Sequence, residues 1–166
     1  GPVPLGAAIA DALDLMQARI SKAGAHVVYS PATPDVWVLG GRVRLQQVIV
    51  NLIGNALDAM EGRAEKVVEI DVVTDGTETE GTCRVDVRDY GPGLSEDALA
   101  QAFDPFFTTK SPGHGLGLGL SISYNIVRDF DGRLSAANHP DGGAVFTVSL
   151  KCTAAPAETA AGMAAE

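Results

Sequence analysis

At 166 residues, with 46% hydrophobic and 20% charged side chains, the chain has the size and composition of one domain with a sizeable core. A net charge of −9 excludes a nucleic-acid-binding surface, since a phosphate backbone calls for concentrated Lys and Arg and no basic stripe compensates locally. No apolar stretch approaches the roughly 20 residues of a membrane span, and the N-terminus lacks a charged, apolar, small-residue signal pattern, so a soluble chain without direct membrane contact is expected.

Gly1-Pro2 matches the scar left by proteolytic tag removal. Leu5, Ile9, Leu13, Met16 and Ile20 then recur at helical spacing until Gly24 stops the run, and residues 26–30 and 36–38 read as short strands. Gly40 or Gly41 opens a second helix over 42–60, closed by Gly62. Two alternating runs, 67–73 and 82–88, joined by a polar turn over 74–81, read as a hairpin. Ser95-Glu96-Asp97 has the form of a helix cap with an acidic first turn and predicts a short helix through Ala102. Residues 120–127 are helical in pattern, and two last strands, 133–137 and 144–150, flank a Pro-Asp-Gly-Gly turn. This order predicts helices covering one face of a mixed sheet, without internal repeats. Past Lys151 the alanine-rich sequence offers almost nothing to a core, so one domain over 1–152 and a disordered tail over 153–166 are expected. Cys83 and Cys152 have no metal-like spacing and read as reduced thiols of a cytosolic protein.

Chemistry concentrates in three places. Asn51 and Asn55 stand one helical turn apart, flanked by Val48, Leu52 and Ile53, so two amides project from a helix that otherwise seeks the core. Such amides either meet other protein groups or line a pocket and meet a ligand. Asp89-Tyr90-Gly91-Pro92-Gly93-Leu94 ends a strand-like run, placing a carboxylate where the backbone turns sharply. Gly113 to Leu120, with Gly115, Gly117 and Gly119 alternating, runs into a helix and presents backbone N–H groups at its N-terminus, where phosphate is favoured. Neither a Walker loop nor the dinucleotide fingerprint fits that spacing. Between Gly93 and Gly115 the chain has little core of its own and reads as a lid, with Phe103, Phe106 and Phe107 either anchoring it or belonging to the permanent core.

In order, these segments resemble the Bergerat-type ATP-binding module of sensor histidine kinases: an asparagine box from Asn51 to Asn55, a first glycine box from Asp89 to Gly93, a phenylalanine box from Phe103 to Phe107, and a second glycine box from Gly115 to Leu120. The wording from Pro105 to Tyr124 is most similar to the dicarboxylate-sensing and nitrogen-regulatory branch. The resemblance spans roughly residues 5–151 and implies an α+β fold, a two-layer α/β sandwich with helices on one face of a mixed, mostly antiparallel sheet and a mobile ATP lid.

It also implies ATP and magnesium as ligands. Asp89 accepts from the adenine amine, unless it is only a turn-former before glycine. Gly91 and Gly93 let the backbone approach the base and Leu94 packs on it, while Asn55 ligates magnesium, a hard cation that bridges phosphates. Asn51 lines the phosphate end, where ATP-hydrolysing relatives carry a water-activating glutamate; asparagine cannot be that base. From the lid, Lys110, with Phe106, Thr108 and Thr109 beside it, reaches the terminal phosphates or is merely solvated, and the backbone of Gly115, Leu116, Gly117, Leu118, Gly119 and Leu120 neutralises charge. Many members carry a basic residue where this chain has Asp58; Arg42 and Arg44 either compensate or only solubilise the helix start.

The family's acceptor is a histidine followed by an acidic residue on a dimerisation hairpin, a pattern that His26, His114 and His139 all lack. The expected activity is therefore donation of the γ-phosphoryl group of ATP to a histidine on a dimerisation domain outside this chain, with a response regulator engaged through that domain, in the cytoplasmic portion of a membrane-anchored bacterial sensor. The alternatives are a nucleotide-gated interaction module or an ATP-hydrolysing protein of the same fold.

Overall fold

A computed structural model of the chain describes residues 1–105 and 119–157. The expectations for Phe106, Phe107, Thr108, Thr109, Lys110, Gly115, Leu116, Gly117 and Leu118, and for most of the C-terminal tail, lie outside the described residues.

A short strand β1 (Pro2–Pro4) leads into helix α1 (Leu5–Ala23), followed by β2 (His26–Tyr29) and β3 (Trp37–Leu39). The Asp35 carboxylate receives the first amides of α1, Gly6 at 2.8 Å and Ala7 at 3.3 Å, and so does the work of a cap from outside the helix. Gly24 ends α1 with φ +68°, the left-handed stop its position predicts. β1 was not foreseen: it pairs antiparallel with β3, Val3 opposite Val38.

Helix α2 (Arg42–Ala59) starts from Gly41. Leu45, Val48, Ile49, Leu52, Ile53, Ala56 and Leu57 are buried on one side of it, and each large member contributes about 1.5–3 kcal/mol by leaving water. The helix ends at Ala59 with Met60 as its cap residue, before Gly62, which occupies the following turn at φ +82°. Helix α3 (Glu96–Gln101) begins as predicted, with Ser95 Oγ accepting from Ala98 N–H at 3.1 Å. Helix α4 (Gly119–Asp129) follows, and Arg44 at the start of α2 pairs with Asp129 at its end, so the two helices run antiparallel.

The main sheet contains β2, β4 (Val67–Asp75), β5 (Thr82–Asp89), β6 (Arg133–Asn138) and β7 (Ala144–Lys151), in the order β2-β4-β5-β7-β6. β2 lies parallel to β4 and every other pair is antiparallel, so the sheet is mixed and mostly antiparallel with the helices packed on one face. Alternation decides that face: Cys83, Val85 and Val87 of β5 and Ala144, Phe146, Val148 and Leu150 of β7 are buried, while the residues between them point outward. Pairing continues past β7, with Thr153 N–H donating to Trp37 O at 2.9 Å. Both cysteines are free and buried. Burial, with Cys152 and Asp35 nearby, pushes the Cys83 thiol up to about 12, which keeps it protonated and inert.

Candidate functional site

Asp89 is the next member of the buried row Cys83, Val85, Val87, so strand alternation alone carries a carboxylate into the interior at the end of β5. It is 1% exposed. Two backbone amides serve it, Gly91 N–H at 2.8 Å and Ala144 N–H at 3.4 Å, and both donate to Oδ1. Among the described residues Oδ2 accepts nothing. Burial raises the Asp89 pKa above its ordinary 3.8, against the opposing pull of those amides and of the Arg63 and Arg88 charges.

The walls around this carboxylate come from three elements. Met60, buried at the end of α2, accepts Tyr90 N–H through its sulfur at 3.4 Å. A Cβ on Gly91 would lie 2.8 Å from Ala59 O, so only glycine lets the first glycine box close on α2. Gly143, at φ +82° in the turn before β7, lies so close beneath the Asp89 carbonyl that no side chain fits there. Arg88 stands over the Tyr90 ring, 4.2 Å from guanidinium to centroid, and donates to Gly142 O at 3.1 Å, tying that turn to β5. Tyr90 in turn hydrogen-bonds Glu69.

Gly93 and Leu94 continue from this floor. Gly93 takes φ +78°, and the Leu94 backbone is held from both sides by the Asn138 side chain: Leu94 N–H donates to Oδ1 at 2.8 Å and Nδ2 donates to Leu94 O at 2.7 Å. Phe103 stacks on Tyr124 of α4 at 5.4 Å and meets Phe146 edge-on at 6.4 Å. It therefore packs on the core, the second of its two expected roles.

Asn51 and Asn55 are half-buried rather than buried. Asn51 Nδ2 donates to Ser123 Oγ at 3.0 Å and to Gly119 O at 3.3 Å, so the amide nitrogen joins α2 to the first turns of α4 and leaves the side-chain oxygen for a ligand. The Asn55 side chain makes no hydrogen bond among the described residues. Leu120, placed in the second glycine box, is half-buried against the core.

Asp58, on the same helix face one turn further, pairs with Arg19 of α1, which lies over Gly54; a Cβ there would sit 2.8 Å from Arg19 Nη1. Arg42 bonds Asp11 at 2.9 Å, and Arg44 bonds Asp129 at 2.7 Å and lies over the Phe130 ring. Both arginines occupy the end of α2 opposite Asp89 and tie it to Asp11 of α1 and Asp129 of α4, a use that neither of their two expected roles described.

A cavity of about 630 Å³ opens at the other end of the sheet, near Pro4, Trp37, Thr74 and Cys152. Among the described residues it is lined by no Lys or Arg, and its Asp35 is occupied by α1, so it does not suit a triphosphate. Of the described histidines, His26 is exposed on β2 and His139 is half-buried in the turn after β6, where its Nδ1 accepts Asp141 N–H at 3.0 Å; neither is on a helix.

Sequence reasoning missed Asn138, Gly143, Ala144 and Ser123. Ser123 meets Asn51 only through the packing of α4 on α2, and the others reach Asp89 and Leu94 only through the pairing and turn of β6 and β7.

Comparison with known proteins gives a consistent result. Residues 40–154 match the family described as histidine kinase-, DNA gyrase B-, and HSP90-like ATPase. The C4-dicarboxylate transport sensor protein DctB of Pseudomonas aeruginosa is 41% identical over 148 residues, 89% of this chain and 24% of that protein. The chain thus spans about a quarter of that curated relative. The catalytic domain of histidine kinase ThkA superposes with a TM-score of 0.75 at 29% identity, covering 92% of this chain and 95% of that one. ThkA in complex with the response regulator TrrA aligns with a TM-score of 0.72 at 27% identity, over 92% of this chain and 42% of that one.

Proposed function

This chain belongs to the histidine kinase-, DNA gyrase B-, and HSP90-like ATPase family, as a catalytic domain of sensor histidine kinases akin to the dicarboxylate sensors, and on that premise we propose that it binds Mg-ATP and donates the γ-phosphoryl group to a histidine of a dimerisation domain outside the chain. The observation that carries this reading is Asp89: a buried carboxylate with one oxygen held by two amides and the other without a donor among the described residues, framed by backbone that only glycine can form. Adenine offers an exocyclic amine, a donor suited to that second oxygen. The Asn55 oxygen, half-buried and uncommitted among the described residues, suits a hard cation, and magnesium bound there would offset triphosphate charge.

The chain's own residues then bind and orient. Asp89 fixes the base, Gly91, Gly93 and Leu94 cover it, and Asn51 steadies the start of α4. Thr108, Thr109, Lys110 and the backbone of 115–119 supply the phosphate end, and Phe106 anchors the lid over the nucleotide. Transfer forms a bond between an imidazole nitrogen lone pair and the γ-phosphorus as the bond to the β–γ bridging oxygen breaks, and ADP leaves; positioning and charge suffice for that step. Asn51 offers no base to activate water, and its nitrogen is already turned toward α4, which favours transfer over hydrolysis.

A response regulator, engaged through the dimerisation domain, and a cytoplasmic place in a membrane-anchored sensor complete the proposal. No helix among the described residues is long and apolar enough to cross a membrane.

Isothermal titration with ADP and a non-hydrolysable ATP analogue, with and without magnesium, tests the binding half. Absence of heat from folded protein at millimolar nucleotide would overturn it. Adding the dimerisation domain in trans and assaying acid-labile phosphohistidine tests the transfer half.

A further inference from the structure

We propose that Asn138 is a positioning residue for nucleotide recognition, a side-chain clamp that holds Leu94 over the base site. This rests on reading the Asp89 pocket as the adenine site.

An asparagine side chain carries the donor and acceptor of a peptide group. Asn138 uses both on one residue, receiving Leu94 N–H at 2.8 Å and donating to Leu94 O at 2.7 Å, as a neighbouring strand would. Leu94 belongs to no strand, so this side chain stands in for a missing ladder. Gly93 makes room for it: a Cβ there would lie 2.8 Å from Asn138 Oδ1, and φ is +78°.

Asn138 is also the cross-strand partner of Ala144, whose N–H donates to Asp89 Oδ1. One residue pair on the β6–β7 ribbon therefore locates both walls of the base site, Asp89 through a backbone amide and Leu94 through a side-chain amide. The turn joining the pair is fixed by His139 N–H to Gly143 O at 2.9 Å and Gly142 N–H to His139 O at 3.0 Å. Asn138 itself is exposed and outside the core, so its role is to place Leu94 and not to fill space.

The test uses the whole chain with ADP as probe. Asn138→Ala removes both bonds, and Asn138→Asp keeps the shape and the acceptor but faces Leu94 O with an oxygen. In nucleotide-free protein, hydrogen exchange over residues 92–95 should rise in both variants while exchange in α2 and β7 stays at wild-type rates. ADP dissociation constants should rise about tenfold, as expected when a binding wall is misplaced by the equivalent of one decade in affinity. Should Asn138→Ala fail to fold, Gly93→Ala, which drives a Cβ against Asn138 Oδ1, gives the same two readouts.

Unchanged exchange at Leu94, or raised exchange with ADP affinity within twofold of wild type, overturns the clamp. Wild-type protein that binds no ADP overturns the pocket reading and the clamp with it, whereas exchange and affinity moving together in the variants alone supports both.

Discussion

Ala144 and Asp89, 55 residues apart, meet through one hydrogen bond: the Ala144 N–H donates to the same carboxylate oxygen, Oδ1, that already holds Gly91 N–H. Among the described residues the other oxygen is thereby left for a ligand. An asparagine at this position can keep its carbonyl on the two amides, but then it presents an NH₂ group where Oδ2 stood, donor against donor for an adenine amine. Asp89→Asn should preserve the fold and raise the ADP dissociation constant at least about tenfold, the value of a lost hydrogen bond to a charged group. Titration calorimetry beside circular dichroism checks it; wild-type affinity in a folded variant would refute the adenine role.

The same substitution should stabilise the free protein. Burial raises the Asp89 pKa above 3.8, so the folded state disfavours the ionised form. The stability this group contributes is complete below its unfolded pKa and is lost as pH rises through the folded one. Asp89→Asn should therefore unfold at higher denaturant than wild type near neutrality, the gap closing as pH falls toward 3.8. Other carboxylates titrate in both proteins and cancel in the difference. Nucleotide affinity runs the opposite way in wild type, falling as Asp89 protonates. A gap that is constant with pH would show that ionisation of Asp89 is not its cause.

How much of this was legible beforehand follows from the range of the interactions. Period-3.6 and period-2 patterns placed α1, α2, α4 and the β4–β5 and β6–β7 hairpins, because each is specified by residues within one element. Asp89 was legible as the carboxylate at a strand end before a glycine turn, while its place in the buried row of β5 came from the structure. β1 was not, since Pro2–Pro4 carries no strand pattern and is held by pairing with β3. The partners of Asn51 were also hidden: the amide pattern signalled a need to be satisfied, and only packing of α4 on α2 shows that Ser123 and Gly119 meet it. Asn138 and Ala144 act through register between β6 and β7, and residue type alone carries no trace of that.

The two asparagines should separate in experiment. Asn51→Ala loses the bonds to Ser123 and Gly119, costing about 1 kcal/mol and lowering Tm by roughly 2–4 °C for a domain of this size. Asn55 has no such partner among the described residues, so Asn55→Ala should leave Tm unchanged and instead remove the magnesium-dependent part of ATP binding. Thermal melts and titrations with and without magnesium distinguish them. Equal Tm losses in both variants would mean that Asn55 is structural too.

Arg19 should matter to phosphate more than to the fold. Its partner Asp58 shares the helix face of Asn51 and Asn55, where a carboxylate repels a triphosphate, and the guanidinium beside it offsets that charge. The pair is partly exposed, with side-chain exposures of 50% and 18%, so its contribution to stability is about 0–1 kcal/mol and Arg19→Ala should barely move Tm. Mg-ATP affinity should nevertheless fall by about threefold to tenfold, equivalent to roughly 0.7–1.4 kcal/mol, while AMP, which ends before the β- and γ-phosphates, binds as to wild type. Adding Asp58→Ala should recover most of the loss, because the repelling carboxylate is then gone as well. If ATP and AMP weaken equally, Arg19 acts by supporting the α1–α2 contact, and the missing basic residue is supplied from elsewhere.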